Sequence, residues 1–242
     1  MATLLATLLI ASRALGFVAL VRAGCAAPRA NLPRCALGLA VALATIAILF
    51  ALAAPPNHRA TLGATIARAA AHLPAALAIA LIEEAFFRAF LLAGIRGDLG
   101  PRAALIVSSA FYAVVHLIRS PAHYYLAGYH PAAGLRNLAA SAELLAHPAA
   151  AAPTLLGLFL LGLALGEALL LTGNVWMAVG MHAGFVLGAK SWPAFVNGAT
   201  PPRWLAGPGP VPLIAAPAAW IAAIVICALM PPLTGRRGYF KS

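Results

Sequence analysis

Five ionisable residues stand where an apolar sequence would not be expected to carry them. The stretch LPAALAIALIEEAFFRAFLLAGI, residues 73–95, holds Glu83, Glu84 and Arg88, while His116 ends the run ALIVSSAFYAVVH and His182 is central in VWMAVGMHAGFVLGAK. An ionised group at the centre of a membrane helix costs roughly 2.5–3.5 kcal/mol on insertion scales, so such groups are functional candidates when a partner can be named. Spacing names the first partner. Glu84 and Arg88 are four residues apart, share a helix face and can form an ion pair that orients the helix. Glu83 lies about 100° around the same helix and faces Arg88 less well. It is left as the carboxylate free for chemistry.

Depth names the other partners. At about 1.5 Å per residue, Glu83 lies roughly 15 Å along its helix, His116 roughly 20 Å along the next and His182 roughly 12 Å along its own. With alternating helix directions, all three fall near the middle of a hydrocarbon core about 30 Å thick. One carboxylate and two imidazoles can therefore meet in a buried polar cavity. A carboxylate beside an imidazole activates water as a general base. A second imidazole that donates a hydrogen bond stabilises an oxyanion. That set hydrolyses a peptide bond without a covalent intermediate. Ser108 and Ser109 precede His116 on its helix and read as small polar residues at a helix contact rather than as nucleophiles.

The elements that position these groups follow from composition. The chain has 242 residues, is 63% hydrophobic and only 9% charged, with a mean hydropathy of +0.94. Soluble domains carry about a quarter charged residues. The expectation is an all-α, polytopic transmembrane helix bundle in one integral membrane domain spanning 1–242. Runs of about the length a span needs occur at roughly 3–21, 35–54, 73–95, 102–118, 153–172, 174–191 and 210–230, which gives about seven or eight spans. The alanine-rich stretch 60–72, with Arg68 and His72, reads as an interfacial helix. The longest polar interruption, 119–150, holds Tyr124, Tyr125 and Tyr129, and the tract 192–212 holds Trp192 and Trp204. Both sets suit a membrane–water boundary.

The net charge of +11 lies mostly between apolar runs. It reads as loop charge that sets topology and meets anionic headgroups, with no nucleic-acid partner. Eight basic residues in one set of loops against six in the other favour an inside C-terminus and an outside N-terminus. Cys25, Cys35 and Cys227 have no metal-site spacing. Near Cys25, Arg22 breaks a lipoprotein-like box, so the N-terminal run reads as a membrane anchor.

Three segments together resemble the CPBP family of intramembrane proteases, which includes the type II CAAX prenyl endopeptidases and their bacterial relatives. EEAFFR has the form E-E-x-x-x-R, YAVVH resembles F-x-x-x-H with Tyr112 in the aromatic position, and TGNVWMAVGMHAG resembles the third motif. The motif-bearing core is about 73–190. The resemblance implies a glutamate-type protease of the bacterial inner membrane, acting without metal or other cofactor. Its substrate would be a membrane-embedded or lipid-anchored protein cut near its C-terminal tail. It implies that Glu83 activates water with help from His116, that His182 contributes to the oxyanion site, and that Glu84, Arg88 and Tyr112 support the site. One position departs. The family commonly has H-x-x-x-N, with the Asn helping to hold the oxyanion, and here Val186 stands four residues after His182. Lys190, another four on, reads as a lysine reaching for the membrane surface, and Asn137 and Asn197 lie in loops.

Two alternatives stay open at this level. One Glu and two His could bind a catalytic zinc, although no H-E-x-x-H occurs. The chain could also be an inactive family member that binds a membrane partner or acts as an immunity factor, a reading that rests on Val186. Glu167 in GLALGEALLL is a further intramembrane acid, with Arg13 as its suggested partner.

Overall fold

The computed structural model describes residues 16–53, 62–118, 132, 136, 139–141, 143–196, 201–207 and 213–235. The fold is all-α, and the described elements are helices throughout. In chain order they are α1 Phe17–Gly24, α2 Leu32–Ala53, α3 Leu62–Glu84, a π-helical segment Ala85–Leu92 and α4 Ala93–Leu117. A 3₁₀ turn Glu143–Ala146, α5 Pro148–Thr172, α6 Trp176–Val196, the single turn α7 Arg203–Ala206 and α8 Pro217–Thr234 follow. Among the described residues α2, α5 and α8 are long and apolar enough to cross a membrane. Their outward faces carry large apolar side chains, with Ile48 61% and Ile221 63% exposed. Such faces suit lipid, since a soluble chain rarely leaves long apolar stripes uncovered.

Most expected runs fall on these helices, with shifted ends. Residues 60–72 do not form a separate interfacial helix: from Leu62 they are the first half of α3 and run without a break into the apolar half. Alanine has the highest helix propensity, and Pro74 does not interrupt the helix. The run 153–172 starts earlier, at Pro148, with proline in the first turn where its missing N–H costs nothing. Of the run 3–21 only 16–21 is described, and the tyrosine cluster 124–129, Arg13, Asn137 and Asn197 lie outside the described residues.

The chain turns back on itself at Gly100-Pro101. Gly100 has φ 75° and ψ 164°, a region essentially reserved for glycine, and Pro101 then opens the returning half of α4. The return is antiparallel: the Phe87 ring meets Tyr112 at 5.0 Å, and Leu92 and Leu105 share one core cluster. Gly100→Ala is expected to cost about 1–3 kcal/mol of backbone strain, read as a lower unfolding temperature in detergent; an unchanged temperature would show that the turn tolerates a Cβ.

α6 is the central helix. It runs parallel to α2 and antiparallel to α3, and its glycines set the spacing. A Cβ on Gly180 would collide with the Cys35 carbonyl, and one on Gly38 of α2 with the Met177 carbonyl. Small residues at these crossings let two backbones approach, as membrane helices require in the absence of a hydrophobic drive between them. The turn before α6 is tied down by polar contacts. Gly173 caps α5 with φ 75°, Asn174 Nδ2 donates to Asn31 Oδ1 at 3.1 Å, and Trp176 Nε1 donates to the Ala26 carbonyl at 3.0 Å. These bonds fix α6, and with it His182, against the loop that leads into α2.

Candidate active site

The three chemistry-bearing helices meet where the sequence suggests. Glu83 and Glu84 end α3, Tyr112 and His116 lie on the returning half of α4, and His182 lies on α6. His116 Nε2 is 3.0 Å from Glu83 Oε2, and His182 Nε2 is 3.7 Å from the same oxygen. Glu83 therefore sits between two imidazoles.

The hydrogen bonds restrict the tautomers. His116 Nδ1 is 2.8 Å from the Tyr112 carbonyl. A carbonyl only accepts, so Nδ1 carries the proton and Nε2 faces Glu83. The short contact of Nε2 with a carboxylate oxygen needs one shared proton, held by the imidazolium or by the carboxylic acid. The pair thus rests with one shared proton, and a proton taken from water is a second one, held and then released, as general-base and then general-acid work requires.

A second set of contacts lies behind the first. Glu84 and Arg88 form the expected i,i+4 ion pair, Arg88 Nη1 to Glu84 Oε1 at 3.1 Å, with both side chains almost fully buried. Glu84 Oε1 also accepts from His182 Nδ1 at 2.8 Å. Spacing alone gives Glu84 one partner; the fold gives it two, and Glu84 fixes the His182 ring so that Nε2 points toward Glu83. Arg88 Nη2 donates to the Gly162 carbonyl on α5 at 3.3 Å, and its guanidinium stands 4.5 Å from the Tyr112 ring centroid, within cation–π range. The Tyr112 ring in turn lies 4.0 Å from His116 and 6.3 Å from His182. All six predicted site residues form one contiguous cluster.

The π-helical segment follows directly on the two glutamates and contains Arg88. Such turns occur frequently at functional sites because they re-aim side chains within a continuing helix. The α4–α5 contact had a signal in the sequence: Gly162 and Gly166 are four apart, a small-xxx-small spacing. A Cβ on Gly162 would press on Ser109. Ser109 is a helix-contact residue, and Ser108 Oγ donates back to the Leu105 carbonyl at 3.2 Å.

Glu83, Tyr112, His116 and His182 line a cavity of about 260 Å³, walled elsewhere mainly by apolar or small side chains of α2, α5, α6 and α8. Val186 is on that wall, one turn beyond His182. Lys190 is exposed, and its carbonyl accepts from Arg68 Nε at 2.9 Å. Glu167 of α5 neighbours Cys227 of α8 and is not among the residues that line the cavity. Among the described residues no group of three or more His, Cys, Asp or Glu side chains is arranged to hold a metal ion. His116 uses one nitrogen on a carbonyl, and His182 uses one on Glu84.

Fold and site define a class: an all-helical integral membrane protein with carboxylates and imidazoles gathered at an apolar cavity. The chain belongs to the family described as type II CAAX prenyl endopeptidase Rce1-like, which matches residues 65–188, just over half of its length. Membership places it among CAAX-type intramembrane proteases. No curated protein and no solved structure matches it.

Proposed function

We propose that the chain is a glutamate-type intramembrane endopeptidase that cleaves a membrane-embedded or lipid-anchored protein near its C-terminal tail. One observation carries this reading: Glu83 lies within 3.0 Å of one histidine and 3.7 Å of another at the wall of an apolar cavity. The cavity takes the tail. Glu83, backed by His116, removes a proton from a water molecule as its oxygen bonds to the scissile carbonyl carbon. The carbonyl π electrons move onto oxygen, and His182, protonated on both nitrogens because its Nδ1–H is already given to Glu84, donates from Nε2 and stabilises the resulting oxyanion. Collapse of that intermediate re-forms the carbonyl and breaks the C–N bond. The proton gained from water passes from the Glu83–His116 pair to the departing amine, so the pair ends with the one shared proton it began with. Glu84 and Arg88 act through His182 by fixing its ring, and Tyr112 packs against both imidazoles. The reading carries with it one integral membrane domain of seven or eight spans around the core 73–190 and, for a bacterial relative, the inner membrane.

The test is reconstitution of purified protein in lipid vesicles with tailed membrane proteins, prenylated and unprenylated, and mass spectrometry of the products. Cleavage by wild type and none by His116→Ala or His182→Ala supports the reading; equal cleavage by all three removes the site. Stringent chelation is expected to leave the rate unchanged, and a loss restored by added zinc would replace the metal-free scheme.

A second reading rests on Val186, an apolar side chain on the cavity wall where the family pattern commonly has an amide. The chain would then bind a membrane partner without cutting it. Retention of the tailed protein by the vesicles, uncleaved by wild type and cleaved after Val186→Asn, would favour this second reading.

A further inference from the structure

Two departures from the family pattern meet in one cavity. Position 186 lacks the side-chain donor of the usual asparagine, and position 112 carries tyrosine where the pattern has phenylalanine. Both residues line the cavity beside Glu83, His116 and His182. The loss of one hydrogen-bond donor is accompanied by the gain of another.

The surroundings of Tyr112 fit a donor rather than a packing residue alone. Its side chain is 1% exposed and lines the cavity, and its hydroxyl is not one of the closed-off side-chain atoms that lack a partner among the described residues. Tyrosine presents an apolar body and a polar tip, and on a cavity wall that tip is open to a group bound in the cavity. Packing alone would be served by phenylalanine, which brings no donor to the cavity wall. The ring is held firmly: it stands 4.0 Å from the His116 ring, meets the His182 ring edge-on at 84°, and lies under the Arg88 guanidinium. A cation over the face draws electron density from the phenol and strengthens its O–H as a donor. A donor fixed on the cavity wall costs no reorganisation when charge develops next to it, which is the condition for effective oxyanion stabilisation.

Resting on the protease reading above, we infer that the Tyr112 hydroxyl is the second oxyanion donor, beside His182 Nε2, and does in this chain what the asparagine at the position of Val186 does in the family pattern. Tyr112 is then a catalytic residue and not only a support for the two imidazoles.

The experiment compares wild type, Tyr112→Phe, Val186→Asn and the double variant on the same reconstituted substrate. Tyr112→Phe keeps the ring, so the fold and the ring contacts persist. It is expected to lower kcat by about 10²-fold, the scale of losing one oxyanion donor, with KM nearly unchanged, as for an interaction made only in the transition state. Adding Val186→Asn to Tyr112→Phe is expected to restore most of that loss, which a purely structural role for the hydroxyl would not allow. Tyr112→Phe with wild-type kcat overturns the assignment while leaving the protease reading intact, and so does a loss that Val186→Asn does not repair. Absence of cleavage by wild type and Val186→Asn alike, with every substrate, overturns the protease reading and this assignment together.

Discussion

Glu83→Gln is expected to retain the fold and lose cleavage by about 10²- to 10⁴-fold, the range supplied by a positioned general base. Glutamine has nearly the shape of glutamate and still hydrogen-bonds His116 Nε2, but it cannot take a proton from water. The stability change should be small, because the Glu83 side chain is 28% exposed to the cavity and is not part of the buried ion pair. kcat in vesicles and the unfolding temperature in detergent, measured on one preparation, separate the two effects. A variant that unfolds at the wild-type temperature and cleaves at the wild-type rate would exclude Glu83 as the base.

The second large effect falls on stability. Arg88→Met removes the guanidinium from a carboxylate that is completely buried and whose Oε2 already lacks a hydrogen-bond partner among the described residues. Breaking a buried ion pair from one side costs about 3–5 kcal/mol, since the remaining charge is left uncompensated. The Gly162 carbonyl also loses its donor. The pair variant Glu84→Gln/Arg88→Met should recover much of the stability, because neither charge of that buried pair remains. It should not recover catalysis, because His182 loses the carboxylate that orients it. Denaturant unfolding of the single and double variants measures the coupling directly. If Arg88→Met alone were as stable as wild type, the ion pair would have no structural role.

The sequence carried more of the site than of the fold that surrounds it. The Glu84–Arg88 pair follows from four-residue spacing, and the meeting of Glu83, His116 and His182 follows from depth along alternating helices. The bond between His182 and Glu84 does not follow, because depth gives no information on rotation about a helix axis. That rotation is set by the glycine crossings of α2 on α6 and by the Asn31–Asn174 tie, both long-range. The π-helical segment was also not legible: its sequence, AFFRAFLL, is an ordinary apolar helix with one arginine. Residues 60–72 misled because Arg68 and His72 suggested an interface, whereas the alanines between them favour continuation of one long helix.

The apolar wall of the cavity bears on how the rate should be measured. On the proposed function, a substrate that reaches Glu83 along such a wall comes from the hydrocarbon phase, and its effective concentration is then its mole fraction in the bilayer. Diluting the vesicles at fixed lipid-to-substrate ratio should leave turnover unchanged. Adding inert lipid should slow it, although the bulk molarity of substrate is the same.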